Sequence, residues 1–183
     1  MTVRGALLLR AVNVGGRNRV PMAELRSLLS GRLGLENVST YIASGNILSD
    51  LPADRPALSA EVRALIAEEF SVDTPVIVRT HDELVAALAT NPFPDAAEDR
   101  MLHTMFLEGP ADGGAIEALT PRLQPGERIA LVGADLWIDY GTGGVQSTKL
   151  TTGVLDRALG VSGTARNLRT VRTLAELAAD TDR

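Results

Sequence analysis

The spacing of apolar residues in the first 80 positions constrains the fold more than any other feature of this sequence. Residues 3–12 form a nearly continuous apolar run, which predicts a buried strand. A helical stripe begins near Pro21, and NVSTYIAS and NILSDL then predict two strands that turn at Ser44 and Gly45. A second amphipathic stripe and the run PVIVRT predict one more helix and strand. This order, strand-helix-strand-strand-helix-strand, predicts a ferredoxin-like βαββαβ lobe.

The second half of the chain shows a similar order. MLHTMFLEG predicts a strand, residues 114–119 a helix, and ERIALVGADLWIDYG a hairpin, followed by a helical stripe that ends at Gly160, the short strand GTARN and a last helix. The prolines and acidic residues of 91–100 predict a linker. We therefore predict an α+β fold with a ferredoxin-like lobe of residues 1–90 and a smaller α+β lobe of residues 101–183. The two halves are too different in sequence to establish an internal duplication.

Composition places the chain among ordinary folded proteins, because 45% of its 183 residues are hydrophobic and 22% are charged. No apolar run approaches the roughly 20 residues of a membrane span, and the apolar patch after Arg4 is too short for a signal peptide. The chain has no cysteine, which excludes disulfides and thiolate chemistry and predicts a cytoplasmic protein. Its two histidines, His81 and His103, predict no metal site, and no cofactor motif is present.

The net charge of −5 and a pI near 5.1 argue against a protein that coats nucleic acid through a global positive field. A local basic site stays possible. Of the 18 basic residues 17 are arginine, so Lys149 is the only lysine. A codon bias toward arginine explains why lysine is rare in the chain. Lysine also supplies a compact, titratable ammonium group that arginine cannot replace.

The segment NVGGRNRVP, residues 13–21, is the first candidate site. Glycines after a strand allow backbone N–H groups to face an anion, and Arg17 or Arg19 could close over it. The spacing matches neither the dinucleotide fingerprint nor a P-loop. The alternative is a solvated connection in which glycine supplies positive φ angles.

The segment GTGGVQSTK, residues 141–149, is the second candidate. Its glycines and hydroxyl groups suit a close backbone approach to a ligand, and Lys149 could contact a phosphate or carboxylate. Ser147 and Lys149 have the spacing of a Ser-x-Lys pair, a spacing that is common by chance in irregular loops.

The segment TARNLRTVR is the third candidate, with Arg166, Arg169 and Arg172 at three-residue spacing. A helix would keep these cations on one surface, whereas an extended stretch 164–167 would separate Arg166 from the others. Asn167 also has the character of a helix cap. Trp137 is expected to pack in a core or at the lobe interface rather than to stack on a ligand.

The segments LLLRAVNVGGRNRVPMAELRSLL, VSTYIASGN, KL and TARNLRTV resemble, in this order, the bacterial family known only as domain of unknown function 1697. The chain departs from the family pattern at Ala11, where the family usually has glycine, and at Ser49, Leu168 and Thr173. These departures argue against a close ligand approach at Ala11 and against stacking at Leu168.

The resemblance implies a two-lobed α+β protein with a shared site, but it supplies no reaction. The family-typical polar residues occur at strand ends and in loops of both halves, where packing needs them least. We therefore expect a ligand site at a cleft between the lobes, with these residues: Arg10, Asn13, Gly15, Gly16, Ser44, Asn46, Lys149, Arg166 and Asn167.

Three functions are compatible with these observations. The first is binding of a small anionic or phosphate-bearing ligand such as a nucleotide, or of a nucleic-acid backbone, which the pI does not favour. The second is an enzyme in which Lys149 acts as base or nucleophile on an anionic substrate. The third is an interaction module that pairs strand edges, so the chain could be a monomer or a homodimer.

Overall fold

The computed structural model describes residues 3–179. The chain divides into two compact units, of which the first extends up to Val85 and includes the segment from Thr173 onward. The second comprises Ala86–Arg172. Residues 91–100 contain neither helix nor strand, and the lobe boundaries drawn from the sequence stay predictions.

The first unit is built on one four-stranded antiparallel sheet with the strand order β2-β3-β1-β4. The elements in chain order are β1 (Val3–Leu9), α1 (Met22–Leu33), β2 (Ser39–Tyr41), β3 (Asn46–Leu51), α2 (Arg55–Phe70), β4 (Val76–Thr80) and α3 (His81–Ala89). Alternate residues of the strands face the helices, so Leu7 and Leu9 share a core with Leu25 of α1 and Ile66 of α2.

Local sequence signals explain several element ends in this unit. Thr80 and Glu83 form a capping box, since the Thr80 N–H donates to Glu83 Oε2 at 2.8 Å and the Glu83 N–H donates to Thr80 Oγ1 at 3.2 Å. Strand β1 ends at Leu9, three residues before the predicted end. The chain leaves the extended conformation there because Ala11 has a φ of +51°.

The second unit is built on a second four-stranded antiparallel sheet, with the order β6-β7-β5-β8. Its elements are β5 (Leu102–Leu107), α4 (Ala115–Leu119), a 3₁₀ turn (Thr120–Arg122), β6 (Arg128–Val132), β7 (Asp135–Asp139), α5 (Thr152–Leu159) and β8 (Gly163–Asn167), followed by α6 (Leu168–Ala178). Met105 of β5 packs with Leu119 of α4 and Leu155 of α5 in the core of this unit.

The α+β class predicted from the sequence is therefore confirmed, with one antiparallel sheet in each unit, packed against α1 and α2 in the first unit and against α4 and α5 in the second. The two sheets have equivalent strand orders, since β5 takes the place of β1 and the hairpin β6–β7 that of β2–β3. The ferredoxin-like name for this arrangement stays a prediction. Within residues 3–179, no helix combines the length and the apolar character that crossing a membrane requires.

Candidate functional site

Two loops singled out in the sequence meet at the end of the first unit's sheet where β1 finishes. The side-chain amide of Asn13 joins them: Nδ2 donates to the Ala43 carbonyl at 2.8 Å and to the Val20 carbonyl at 2.9 Å. Its Oδ1 accepts the Val20 N–H at 2.9 Å. Asn13 therefore fixes the loop after β1 against the turn between β2 and β3.

The central part of the first loop, residues 13–18, forms a small hairpin that we call the glycine hairpin. The Asn13 N–H donates to the Asn18 carbonyl at 3.0 Å, and the Arg17 N–H donates to the Val14 carbonyl at 3.1 Å. Gly15 and Gly16 have φ angles of +58° and +75°, as both central positions of a type I′ turn require. A Cβ at either glycine would meet no atom within 4 Å, so the φ angles rather than crowding require glycine.

Donors that have no acceptor lie on the glycine hairpin and at Arg19, the residue that follows it. The exposed N–H groups of Gly15 and Gly16 donate to no atom of residues 3–179, and the exposed guanidinium groups of Arg17 and Arg19 have no hydrogen-bond or ion-pair partner in that range. By contrast, many other arginines of the described range have a carboxylate partner, among them Arg4, Arg32, Arg55, Arg63, Arg100, Arg128 and Arg172. The tip therefore combines positive charge with unused donors.

Arg10 lies directly after β1, at the same end of the sheet. Its N–H donates to Thr74 Oγ1 at 3.0 Å, and the Thr74 hydroxyl donates to the Arg10 carbonyl at 2.8 Å. These bonds fix the backbone of Arg10 beside the start of β4. Thr74 was not singled out from the sequence, because a single threonine before a proline carries no pairing signal.

The motif Ser44-Gly45-Asn46 forms the end of the turn between β2 and β3. Asn46 is fully buried and its Nδ2 donates to the Tyr41 carbonyl at 3.0 Å and to Ser44 Oγ at 3.2 Å. The Leu9 N–H donates to the Gly45 carbonyl at 2.8 Å. A Cβ on Gly45 would lie 2.7 Å from Leu9 Cβ, so this turn packs on β1 only with glycine.

The second set of predicted residues lies in the second unit. Lys149 is exposed, and its ammonium has no hydrogen-bond or ion-pair partner within the described part of the chain. The Ser147 hydroxyl donates to the Gly143 carbonyl at 2.8 Å. Ser147 and Lys149 therefore do not form the hydrogen-bonded pair that a nucleophile and its base require.

Arg166 is buried in β8, with 8% of its surface exposed. Its Nη1 donates to Thr164 Oγ1 at 2.7 Å and to the Ala165 carbonyl at 2.8 Å. Burial lowers the pKa of Arg166 to about 10, so the group stays cationic at neutral pH.

Asn167 begins the last helix, because its Oδ1 accepts the Thr170 N–H at 2.8 Å. Residues 164–167 are extended and Arg172 is paired with Asp99. The helical surface of three cations considered from the sequence therefore does not form.

Trp137 and Tyr140, two aromatic residues of the second unit, are buried, and His103 packs against Tyr140. Trp137 is fully buried, as expected from the sequence. The rings of His103 and Tyr140 meet edge to face at 5.0 Å, and burial lowers the pKa of His103 and raises that of Tyr140 to about 12. Between residues 3 and 179, no three Asp, Glu or His side chains are grouped as a metal site would require.

Six of the nine predicted ligand residues thus lie at one end of the first unit's sheet: Arg10, Asn13, Gly15, Gly16, Ser44 and Asn46. Lys149, Arg166 and Asn167 belong to the second unit. There, β7 and β8 finish at the same end of the sheet, since Asp139 pairs with Leu102 and Asn167 with His103. That the two sets line one site stays a prediction.

Comparison with known proteins identifies the family. Residues 2–137 match the family described as Protein of unknown function (DUF1697), so the chain belongs to this family, as its motifs indicated. Among solved structures, the chain is similar to the conserved bacterial protein SP0830 from Streptococcus pneumoniae, with 26% identity and a TM-score of 0.76. The similarity covers 97% of this chain and 99% of the other. No curated protein matches.

Proposed function

We propose that this protein binds a small phosphate-bearing anion at the glycine hairpin of its first unit. One observation carries the proposal: the N–H groups of Gly15 and Gly16 and the guanidinium groups of Arg17 and Arg19 have no partner in residues 3–179. These donors, on the glycine hairpin and at Arg19 directly after it, form a local excess of positive potential in a chain whose net charge is −5.

These donors suit phosphate for geometric reasons. A guanidinium group donates two parallel hydrogen bonds to phosphate oxygens, and backbone N–H groups in a turn donate to a further oxygen. The glycine φ angles and the Asn13 amide hold the hairpin in place before a ligand arrives. Little conformational entropy is then lost on binding, which favours affinity.

The size of the ligand follows from the charge distribution. A long polyanion would extend beyond the hairpin over a surface that is acidic on average, since the pI is near 5.1. A ligand with one or two phosphate groups engages only the hairpin tip. We therefore favour a small molecule over a nucleic-acid backbone. Lys149 has no polar partner in the described chain that would position it for catalysis.

Calorimetric titration with pyrophosphate in low salt tests this proposal. The double variant Arg17→Gln/Arg19→Gln removes both cations and keeps the glycine turn. Charge-assisted hydrogen bonds contribute about 1.5–3 kcal/mol each, so the loss of one such bond from each arginine should lower the affinity by about a hundredfold or more. The matched control is Arg122→Gln/Arg157→Gln, which removes two exposed arginines without a partner in the described range of the second unit.

The proposal requires that wild type and the control bind pyrophosphate equally and that the hairpin variant binds it more weakly. Absence of binding at millimolar pyrophosphate would overturn it. Equal binding by the hairpin variant would also overturn it, as would binding of a single-stranded oligonucleotide alone.

A further inference from the structure

Ile42, in the turn between β2 and β3, has the least expected backbone conformation in the first unit. Its φ is +50°, and 52% of its surface is exposed. The left-handed region is unfavourable for a β-branched residue, and glycine or asparagine adopts it at lower cost. Packing does not account for a strained isoleucine that is half exposed.

Such backbone conformations are concentrated at this end of the sheet. Among residues 3–179, six non-glycine residues have a positive φ, and four of these lie in the two loops joined by Asn13: Ala11, Asn13, Asn18 and Ile42. Residues held in sparsely populated regions occur preferentially where a protein binds or reacts.

Each of the two residues joined by the hydrogen bond between the loops has an exposed apolar residue next to it in the chain. Asn13 Nδ2 donates to the Ala43 carbonyl at 2.8 Å, Val14 follows Asn13, and Ile42 precedes Ala43. Val14 is 61% exposed. We call Val14 and Ile42 the apolar pair.

The apolar pair adjoins the charged tip of the glycine hairpin. Val14 and Arg17 are bridge partners across the turn, so an apolar side chain and a cation without a partner in the described range stand on the same hairpin. Inorganic phosphate would use only the cationic part of this surface. A ligand with an apolar ring system beside its phosphate groups would use both parts.

We propose that the glycine hairpin and the apolar pair together bind a nucleoside phosphate, with the phosphates at Arg17 and Arg19 and the base against Val14 and Ile42. This inference rests on the proposed function, because it assigns the ligand class of the same site. Ile42 then has a reason for its conformation: the left-handed φ presents the isoleucine to a ligand instead of the core.

The test compares adenosine diphosphate with pyrophosphate, which carry two phosphates each and differ by the nucleoside. We expect the nucleotide to bind wild type about tenfold more tightly, since the base removes apolar surface from water. Ile42→Gly should reduce nucleotide affinity about fivefold and leave pyrophosphate affinity unchanged. Its thermal midpoint should equal or exceed that of wild type, because glycine adopts the φ of +50° without strain.

Two further variants complete the design. Val3→Ser is the matched control, because Val3 is 46% exposed and stands at the opposite end of β1 from Leu9, and it should leave both affinities unchanged. Ile42→Asn replaces Ile42→Gly if the glycine variant does not fold, because asparagine tolerates the left-handed region.

Failure of this inference is distinguishable from failure of the proposed function. Equal affinity for adenosine diphosphate and pyrophosphate would overturn the nucleoside assignment and leave anion binding in place. Unchanged nucleotide affinity in Ile42→Gly, or in Ile42→Asn where it takes the place of the glycine variant, would overturn it as well. Binding of neither ligand would overturn the proposed function itself.

Discussion

Replacement of Asn13 by alanine should destabilise the first unit strongly, because one amide makes three hydrogen bonds there. Val20 is 1% exposed, so water cannot readily replace the bonds to its N–H and carbonyl. At about 1 kcal/mol per bond, the loss is about 3 kcal/mol. Alanine at a φ of +55° adds about 1 kcal/mol of strain. The expected total of about 4 kcal/mol is a large share of the usual 5–15 kcal/mol of a folded protein.

Two further substitutions separate these contributions. Asn13→Gly loses the same three hydrogen bonds but adopts the positive φ, so it should be about 1 kcal/mol less damaging than Asn13→Ala. Asn13→Asp keeps an acceptor for the Val20 N–H but faces the Val20 and Ala43 carbonyls with oxygen instead of a donor. We expect it to be at least as destabilising as alanine.

Urea unfolding followed by circular dichroism measures the free energy of unfolding, and amide hydrogen exchange at Val20 reports the loop directly. The m-value must stay unchanged for the comparison to hold, since the chain has two units. The structural role of this amide would be refuted if the free energy of unfolding of Asn13→Ala lay within about 0.5 kcal/mol of the wild-type value and the Val20 amide kept its protection from hydrogen exchange.

Three other predictions concern stability. Ala11→Gly should raise the free energy of unfolding by about 0.5–1 kcal/mol, because alanine at a φ of +51° is strained; a lower urea midpoint would contradict this. Gly45→Ala should lower the free energy of unfolding by about 2–4 kcal/mol, because the alanine Cβ would lie 2.7 Å from Leu9 Cβ. A thermal midpoint equal to that of wild type would show that the turn does not need glycine to pack on β1. Because burial lowers the pKa of His103 in the folded protein, this histidine binds a proton more readily in the unfolded chain. The contribution of neutral His103 to the free energy of unfolding should therefore be fully present above about pH 6.5 and should decrease as the pH falls toward the folded pKa. His103→Gln should remove that part of the pH dependence, as measured by urea unfolding at several pH values. If the free energy of unfolding of the variant depended on pH as that of wild type does, other groups would be responsible for the pH dependence.

Local signals in the sequence were sufficient for most of the fold. The Thr80–Glu83 capping box and the αL glycine after α5, Gly160, act within a few residues of chain and were predictable from those residues alone. The apolar spacing of residues 3–80 likewise predicted the element order of the first unit.

The roles of the candidate site residues were harder to predict because they depend on contacts distant in sequence. The Asn13 amide bonds to Ala43, 30 residues away, and no pattern near Asn13 indicates that partner. The burial of Arg166 depends in the same way on tertiary packing. Two adjacent glycines such as Gly15 and Gly16 occur both in phosphate-binding loops and in type I′ turns, so only the backbone angles identify the turn.

The central claim, that the glycine hairpin binds a phosphate-bearing anion, is tested most directly by amide NMR spectra recorded during a pyrophosphate titration. We predict saturable shifts of the Gly15 and Gly16 amide signals, because their N–H groups have no acceptor in the described chain. The Gly143 and Gly144 signals in the second unit serve as the internal comparison. Shifts confined to Gly143 and Gly144, or no shifts at all, would contradict the claim.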